Sequence, residues 1–386
     1  MKLLLSHASA DLYGSDRMAA IAAGAMTGKG HQVTVVLPVK GPLIRHLRDA
    51  QAHVVVADVP VLRRADLHPT AIFGLLRRLC RSLGPMFRIL RSEDPDVVYV
   101  NTIVQPWWIV AGKIMRRRVV VHVREAEPQS ALLVRRLLYG ALRLADLVVC
   151  NSEATRAEIT SLLSLPAERT SVIYNGKDWS LYRIDRRRRS LSGRAEPELL
   201  ITVIGRLSQR KGQDIAIRAL REVITCGRRA RLTLVGDVFA GNETYRAELT
   251  ALARELGVHE FVRFAGFQTD IRPVLADTDV AVVPSRVEPF GTVAAESMAA
   301  GVLTIVSEVQ GLLEIVDPES NGLTFPSGDH RALAEKCCWA AEHPGQAAAL
   351  AEEGRRSVIE RFGLDRYQSQ IIETLESVEM EEASRS

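Results

Sequence analysis

Two glutamates separated by seven residues occur in the stretch Glu288-Pro-Phe-Gly-Thr-Val-Ala-Ala-Glu296, and their carboxylates can accept hydrogen bonds from hydroxyl groups. The stretch follows an apolar run, Val280–Val283, that is typical of a buried strand, and it leads into a helical pattern over Thr292–Ala300. A turn from a strand into a helix presents free backbone N–H groups and the positive end of the helix dipole. The pattern therefore predicts a binding site for an anion such as a diphosphate.

The spacing gives the residues of this stretch distinct predicted roles. Phe290, Gly291 and Thr292 would offer backbone N–H groups to a diphosphate, and Gly291 would let the ligand approach the backbone closely. Glu288 lies in the loop and would accept hydrogen bonds from sugar hydroxyls. Glu296 lies a turn into the helix, on a wall expected to be exposed, and would bind ribose hydroxyls as acidic residues do in dinucleotide folds. The alternative is a surface glutamate and a second one that only suits the helix dipole.

A second candidate motif is Gly205-Arg206-Leu-Ser-Gln-Arg-Lys211-Gly212, which closes one predicted strand and begins the next helix. Arg206 can contact a phosphate in a bidentate manner, and Lys211 supplies a point charge. Together they can neutralise a leaving diphosphate without a metal ion. Two solvated bases at a helix start are the alternative, but cations there oppose the dipole unless an anion is bound.

Alternation of short β-rich runs with amphipathic stretches indicates βαβ units and parallel sheets. The first half predicts strands at Lys2–Ser6, Gln32–Leu37, His53–Ala57, Asp96–Val100, Val119–Val123, Leu147–Cys150 and Ser171–Tyr174, with helical patterns at Ser15–Thr27, Ala71–Leu90 and Gln129–Leu144. The second half predicts strands at Leu199–Ile204, Leu232–Val235, Val262–Phe264, Val280–Val283 and Leu303–Val306.

The chain length of 386 residues suits two α/β domains. A turn dipeptide, Asn175-Gly176, and an arginine-rich stretch predict a linker over 181–198. We therefore predict an N-terminal domain over 1–180 and a C-terminal domain over 199–362. Each is expected to be a doubly wound, Rossmann-like α/β domain, and the two are expected to face a cleft.

The two motifs together resemble glycosyltransferase family 4, whose members are retaining enzymes of the GT-B fold. Other stretches that carry the resemblance are Val235-Gly236-Asp237, Phe264–Phe267, Pro284-Ser285, Glu314-Ile315-Val316 and Asn321-Gly322 in the second domain, and Tyr13-Gly14-Ser15, His122, Asn151-Ser152 and Asn175-Gly176 in the first. The resemblance implies sugar transfer from a nucleotide-diphosphate sugar, bound mainly by the second domain, to an acceptor bound by the first. It also implies that the C-terminal helix, over 363–386, packs back on the first domain.

By this resemblance Arg206 and Lys211 bind the donor diphosphate, Glu288 contacts the donor sugar, and Glu296 binds the ribose. The catalytic candidates are Glu288, His122, Arg206 and Lys211.

The resemblance also concerns the first domain. Gly14 and Ser15 would approach the phosphate from the opposite wall, although Tyr13 replaces the first glycine of the double-glycine loop common in the family. His122 resembles a histidine that lines the donor sugar and acceptor. A core histidine at a strand end is an equally open interpretation of His122, and His7 is a weaker candidate of the same kind.

Composition limits the remaining possibilities. Five cysteines without a C-x-x-C pair favour reduced thiols, and the apolar run after Lys2 is too short for a signal peptide, so we expect a cytoplasmic protein. Two D-x-D triplets, Asp94-Pro-Asp96 and Asp277-Thr-Asp279, precede strands and look like turn residues, so no metal is expected. No nucleic-acid reading motif is present.

Basic residues are concentrated in one half of the chain, since residues 1–180 hold 24 Lys and Arg against 15 Asp and Glu. The helical pattern Ala71–Leu90 carries an arginine-rich side, which favours a core helix with a solvated arginine face. With Arg116–Arg118 and Trp107-Trp108, docking on the anionic inner face of a membrane is the alternative interpretation. The arginines of this pattern are Arg77, Arg78, Arg81 and Arg88, followed by Arg91.

Other functions are possible for two nucleotide-binding α/β domains. A dehydrogenase is disfavoured because no G-x-G-x-x-G follows the first strand. A sugar-nucleotide epimerase, a phosphorylase or a silent subunit of a glycosylating complex could use the same scaffold. We predict a hexosyl-type, retaining, metal-independent glycosyltransferase, and the acceptor stays open between a saccharide, a lipid-linked and a small-molecule class.

Overall fold

A computed structural model describes residues 1–62, 69–125, 132–184, 198–238 and 243–383. The chain divides into two compact units. The first contains Met1–Gly176 together with the C-terminal segment Asp365–Ser386, and the second contains Lys177–Leu364.

Seven parallel strands form the sheet of the first unit within the described ranges. In chain order they are β1 (Lys2–Ser6), β2 (Gln32–Leu37), β3 (His53–Val56), β4 (Val97–Val100), β5 (Arg118–Val123), β6 (Leu147–Cys150) and β7 (Thr170–Val172). Their order across the sheet is β3-β2-β1-β4-β5-β6-β7. The central strands are buried along nearly their whole length, as expected where helices cover both faces of a parallel sheet.

Helices connect the strands of the first unit. They are α1 (Gly14–Gly28), α2 (Leu43–Asp49), α3 (Pro69–Glu93), α4 (Pro106–Ile114), α5 (Leu132–Tyr139) and α6 (Glu153–Leu163).

The second unit repeats this plan with six parallel strands among its described residues. They are β8 (Leu199–Ile204), β9 (Ala230–Val235), β10 (Val262–Gly266), β11 (Val280–Val283), β12 (Leu303–Ser307) and β13 (Leu323–Phe325). The order β10-β9-β8-β11-β12-β13 places β8 beside β11, so the direction of strand progression reverses between these two.

The helices of the second unit are α7 (Gln213–Thr225), α8 (Glu243–Glu255), α9 (Arg272–Ala276), α10 (Thr292–Ala299), α11 (Leu312–Ile315), α12 (His330–Glu342) and α13 (Pro344–Arg361). The last helix, α14 (Leu364–Ala383), belongs almost entirely to the first unit. Its buried residues Tyr367, Ile371 and Leu375 join the same apolar core as Leu3 and Met18.

The predicted architecture of two doubly wound α/β domains is confirmed. Most strand bounds agree with the predictions within two residues, because buried parallel strands are short apolar runs bounded by turn residues. The prediction did not include β13, which is only three residues long. Residues 129–131 of the helix predicted over Gln129–Leu144 lie outside the described residues. In the rest of that range, α5 ends at Tyr139 and a 3-10 turn follows over Gly140–Leu144.

The predicted linker over 181–198 lies mostly outside the described residues, which omit 185–197. The boundary between the compact units falls earlier, between Gly176 and Lys177.

Candidate functional site

The two motifs of the second unit begin at the carboxyl ends of neighbouring strands. Gly205 follows β8 and Pro284 follows β11, and these strands pair with each other at Ile201 and Val280. Ligands of open α/β sheets bind at such a point, where the strand order reverses and the two loops separate to opposite sides. The topology therefore places both motifs at the expected binding position of the second unit.

Glycines make the close packing of these loops possible. Gly212 has a φ of 67°, and a Cβ atom there would lie 2.0 Å from the carbonyl oxygen of Pro284. Gly291 has a φ of 106°, and a Cβ atom there would lie 2.4 Å from Cδ2 of Leu312. Any other residue would be strained by its backbone conformation and by these contacts. The two glycines thus allow each loop to pack directly against its neighbour.

A hydrogen-bonded ion pair joins the two motifs. Nζ of Lys211 donates to Oε2 of Glu288 at 2.5 Å, and Oγ of Ser285 donates to the same oxygen at 2.9 Å. The backbone N–H of Glu288 donates to Oε1 of Gln310 at 2.9 Å. The Glu288 side chain is nearly buried, whereas that of Lys211 keeps a quarter of its surface exposed. The ammonium of Lys211 is thus positioned beside Glu288 and still reachable by an anion.

The loop that carries Arg206 is held by a glutamine that sequence reasoning did not identify. Gln213 is fully buried at the start of α7. Its Nε2 donates to the carbonyl oxygen of Arg206 at 3.0 Å, and its Oε1 accepts from the backbone N–H of Ser208 at 3.3 Å. The amide thereby closes the loop, while the side chain of Arg206 remains partly exposed.

Glu296 does not lie on an exposed wall as predicted. It is only 6% exposed, and its Oε1 accepts hydrogen bonds from Nζ of Lys177 and, at 2.9 Å, from the hydroxyl of Tyr182. Lys177 is itself only 8% exposed. Sequence reasoning missed this partner, and the only signal was a lysine directly after the turn dipeptide Asn175-Gly176.

The three residues predicted to offer backbone N–H groups, Phe290, Gly291 and Thr292, differ in their surroundings. Phe290 is buried, and its ring packs edge-on against Phe362 at a centroid distance of 5.5 Å. Gly291 precedes α10, which begins at the half-buried Thr292. Since the Phe290 side chain belongs to the core, this residue can reach a ligand only through its backbone.

In the first unit, Gly14 and Ser15 form the N-terminus of α1, and Ser15 is exposed there. The carboxylate of Asp16 fixes this terminus, since its Oδ2 accepts from the backbone N–H of Tyr13 at 2.8 Å. Burial opposes ionisation of Asp16, but the hydrogen bond and charge of His7, with smaller contributions from Ser9 and Tyr13, outweigh it and lower its pKa. His7 is thus a structural partner of the helix start, held through Nε2 at 2.7 Å from Asp16.

His122 is buried in the core of the first unit. Its Nδ1 lies 2.7 Å from the hydroxyl of Tyr99 and 3.3 Å from Nη2 of Arg124. Burial and the charge of Arg124 hold its pKa well below the ordinary value, so the ring is neutral. No hydrogen-bond partner among the described residues reaches its Nε2. His122 therefore has the position of a core histidine at a strand end. It differs from an ordinary core histidine because its Nε2 has no hydrogen-bond partner among the described residues.

Arg124 organises a polar cluster that sequence reasoning did not foresee. Its guanidinium donates to Oδ1 of Asn101 and to Oδ1 of Asn175, each at 2.7 Å, and to the hydroxyl of Tyr367 at 3.0 Å. Tyr367 lies on α14, so this cluster ties the C-terminal helix to the carboxyl ends of β4 and β5.

The D-x-D aspartates lie at the opposite ends of the strands. Asp96 precedes β4 and accepts from the backbone N–H of Lys2 at 2.6 Å, and Asp279 precedes β11 and accepts from that of Leu200 at 2.9 Å. Each therefore stands at the amino edge of its own sheet, opposite the carboxyl ends of the strands in the same unit. Within the described ranges, no group of three or more His, Cys, Asp or Glu residues is arranged to hold a metal ion.

Some of the residues considered for membrane docking are exposed, and others are buried. On α3, Phe73 is 77% exposed and Leu76 is 52% exposed, beside the exposed arginines Arg77, Arg81 and Arg88. Trp108 is fully buried. The expectation that Trp108 forms part of a docking surface is therefore wrong. Trp107 is half-buried, and its indole N–H donates to the carbonyl oxygen of Pro60 at 2.7 Å.

The arginines before β5 are mostly engaged in ion pairs. Arg117 pairs with Asp94, and Arg118 pairs with Asp146 at 3.1 Å, whereas Arg116 is exposed. No helix in the described part of the chain is long and apolar enough to cross a membrane.

Two models of known protein families match the chain, one in each half. The profile described as "Glycosyl transferases group 1" matches residues 185–357, and the one described as "Glycosyltransferase Family 4" matches residues 14–180.

Several curated relatives are named as glycosyltransferases or glycogen synthases. The chain is 30% identical over 227 residues to a D-inositol 3-phosphate glycosyltransferase of Saccharomonospora viridis, covering 56% of this chain and 52% of that protein. It is 31% identical over 289 residues to a glycogen synthase of Mycobacterium tuberculosis, covering 70% of this chain and 66% of that protein. The chain spans about half the length of the first curated relatives it matches.

Among solved structures, HepE of Anabaena in complex with UDP and glucose superposes with a TM-score of 0.83 at 26% identity, over 98% of this chain and 100% of that one. A sucrose-phosphate synthase of Thermosynechococcus elongatus superposes with a TM-score of 0.80 at 20% identity, over 97% and 98% of the two chains.

The two doubly wound units and their strand-end loops define the fold as GT-B. The matching profiles then identify the family, and the chain belongs to glycosyltransferase family 4.

Proposed function

We propose that the protein is a retaining glycosyltransferase that transfers a hexose from a UDP-sugar to a hydroxyl group of an acceptor. The observation that carries this proposal is the ion pair of Lys211 with Glu288, which brings a phosphate-binding cation and a hydroxyl-binding carboxylate together where the strand order reverses. UDP is the proposed nucleotide because the Anabaena HepE structures contain UDP, glucose or UDP-glucose.

The diphosphate would be bound beside Lys211 and Arg206. As the glycosidic bond breaks, negative charge develops on the departing phosphate, and preorganised cations stabilise that charge more than the charge of the bound donor. The partly exposed ammonium of Lys211 can donate to a phosphate oxygen while it keeps its bond to Glu288, because it carries three N–H donors. Backbone N–H groups at Gly291 and Thr292 would contribute further hydrogen bonds.

Glu288 would orient the sugar. Its Oε2 is occupied by Lys211 and Ser285, so Oε1 is the oxygen that would accept from sugar hydroxyls. The carboxylate is held by two donors before substrate arrives, which reduces the cost of ordering it in the complex. Glu296 would accept from the ribose hydroxyls.

In this proposal the anomeric configuration is retained because the acceptor hydroxyl attacks the anomeric carbon from the same face from which the diphosphate departs. The departing phosphate oxygen would itself take the proton of the acceptor hydroxyl, so that no separate base is required. Lys211 and Arg206 replace a metal ion as the charge-neutralising groups. The acceptor would be a saccharide, a lipid-linked or a small-molecule acceptor bound by the first unit, with His122 as its candidate contact. Gly14 and Ser15 remain candidates for contact with the donor phosphate.

We also propose that α3 contacts the inner, anionic face of the cytoplasmic membrane. Its buried side contains Leu75, Met86 and Leu90, while the outward side carries an apolar strip beside an arginine strip. The apolar strip consists of Phe73, Leu76 and Leu83, and the arginine strip of Arg77, Arg81 and Arg88. Apolar insertion next to cations is the arrangement that binds anionic interfaces.

A ligand panel followed by product analysis tests the function. We expect UDP and UDP-glucose to raise the melting temperature, since a ligand at 100 times its Kd adds about 2.7 kcal/mol of stability. Transfer would release UDP and give a glycoside whose anomeric configuration, read by proton NMR, is that of the donor. Conversion of the UDP-sugar to an isomer without UDP release would support an epimerase instead, and binding with neither reaction would support a silent subunit.

A further inference from the structure

Lys177 is a buried cation that the mechanism above does not use. Its ammonium donates to Oε1 of Glu296, and the hydroxyl of Tyr182 donates to the same oxygen at 2.9 Å. In the described part of the chain, no hydrogen bond reaches Oε2 of Glu296. One carboxylate oxygen is therefore occupied by two donors, and the other is available.

The segment that carries Lys177 is fastened to Phe362. The backbone N–H of Lys177 donates to the carbonyl oxygen of Phe362 at 3.3 Å, and the indole N–H of Trp179 donates to the same oxygen at 2.7 Å. The ring of Phe362 packs against that of Phe290, which lies between the two glutamates of the motif. Lys177 is thus held beside the loop that leads into α10, the helix that carries Glu296.

The charge of the pair matters as much as its geometry. A buried carboxylate without a partner is costly, and it would repel a diphosphate bound nearby. With Lys177 the pair is formally neutral, so Glu296 can present a hydrogen-bond acceptor without adding net negative charge. The ring of Tyr182, 5.8 Å from Nζ of Lys177, also faces the cation.

We propose that Lys177 is a positioning residue for the donor nucleotide. Together with Tyr182 it holds Oε1 of Glu296, so that Oε2 is presented to the ribose diol, and it offsets the carboxylate charge beside the diphosphate. Lys177 itself does not touch the nucleotide. The inference rests on the proposed binding of a UDP-sugar, and it adds a residue that sets how well ribose is recognised.

A purely structural tie between the segment 177–182 and α10 predicts a different behaviour. Loss of such a tie would lower the melting temperature but would leave the preference for ribose hydroxyls unchanged. The positioning role predicts that the preference itself falls. Comparing UDP with 2′,3′-dideoxy-UDP isolates this quantity, because the two ligands differ only in the ribose diol.

The experiment is calorimetric titration of both ligands into the full-length protein and its variants. The wild type should bind UDP roughly tenfold to a hundredfold more tightly than the dideoxy analogue, the range expected for hydrogen bonds to a charged group. Glu296→Gln and Lys177→Met should each reduce this ratio to within about threefold of unity. Lys177→Arg should keep part of it. Lys336→Met is the matched control. Lys336 also pairs with a glutamate, Glu319, but at 3.8 Å and with neither side chain buried, so this variant should keep the full ratio of UDP to dideoxy-UDP affinity.

The outcomes separate the two proposals. An undiminished ratio in Lys177→Met, with loss in Glu296→Gln, would overturn the role of Lys177 and leave the ribose assignment standing. Absence of discrimination in the wild type would overturn the ribose assignment and this inference with it, and absence of UDP binding would overturn the donor proposal. If Lys177→Met does not fold, Tyr182→Phe provides the test, because it removes one of the two donors to Oε1 of Glu296. An unchanged ratio of UDP to dideoxy-UDP affinity in that variant would contradict the inference.

Discussion

The ammonium of Lys211 donates to the carboxylate of Glu288, 77 positions further along the chain, and this bond unites two motifs that are separate in sequence. Each motif begins where a parallel strand ends, and the two strands are neighbours. The pair therefore exists because of the strand order and not because of local sequence. The proposed use of the pair rests on the same geometry, since a cation and a hydroxyl-binding carboxylate suit a sugar diphosphate.

Replacing Lys211 or Arg206 with alanine should lower kcat by about 10²–10³-fold, with a smaller effect on the KM for the donor. Charge grows on the departing phosphate, so the lost interaction is stronger in the transition state than in the bound donor. Arg206→Lys should recover only part of the rate, because a point charge does not replace a planar fork. Steady-state kinetics with a UDP-sugar measures this, and a raised KM with unchanged kcat would assign both residues to uniform binding.

Gly212→Ala should destabilise the second unit by more than about 2 kcal/mol, because it combines an unfavourable φ with a clash against the Pro284 carbonyl. Gly227→Ala is the matched control. Gly227 also has a positive φ, 81°, but nothing lies within 4 Å of its added Cβ. The control should lose only about 1 kcal/mol. Urea unfolding gives both values, and equal losses would show that backbone strain alone requires a glycine at position 212.

Transfer activity should persist in EDTA, since Lys211 and Arg206 are proposed to neutralise the diphosphate. The assay compares initial rates after chelation with and without added Mg²⁺. Loss of activity that a divalent ion restores would contradict metal independence.

The protein should sediment with vesicles of phosphatidylcholine and phosphatidylglycerol at low salt, and not with phosphatidylcholine alone. Release is expected above roughly 0.5 M salt, where the Debye length is only a few ångströms. Reversing the charges of Arg77, Arg81 and Arg88 to glutamate should abolish sedimentation. The same change at Arg218 and Arg221, which are exposed on α7 in the second unit, should not. If binding does not depend on lipid charge, or if the α3 variant binds as well as the wild type, then the arginines of α3 form only a solvated surface.

His122 should make the first unit less stable at mildly acidic pH. Its pKa is well below the ordinary 6.5 in the folded protein because of burial and the charge of Arg124, so below about pH 6.5 only the unfolded chain takes up the proton. The unfolded state is favoured as pH falls, which costs about 1.4 kcal/mol between about pH 7.5 and about pH 5.5.

His122→Asn should remove that part of the pH dependence, whatever its effect at neutral pH. His46→Asn is the control, because His46 is exposed on α2 of the same unit. Urea unfolding at the two pH values provides the comparison. Equal pH dependence in the wild type and His122→Asn would show that His122 does not resist protonation in the folded state.

The sequence by itself determined the strands, the turns between them and the two motifs. These features depend on local properties: an apolar run such as Val280–Val283, a glycine where φ must be positive, and charged residues directly after a strand. Their positions at strand ends follow from the βαβ pattern, so the neighbouring placement of the Arg206–Lys211 and Glu288–Glu296 motifs could be predicted before any contact was known.

Only the tertiary structure decided which partners these residues have. The pairing of Lys177 with Glu296 spans 119 positions, and it depends on Phe362 holding the segment near Lys177 in place. The burial of Trp108 is likewise set by the elements packed around α4. Ion pairs such as that of Lys177 with Glu296 arise from packing between distant elements, and residue spacing within one element does not specify the partners.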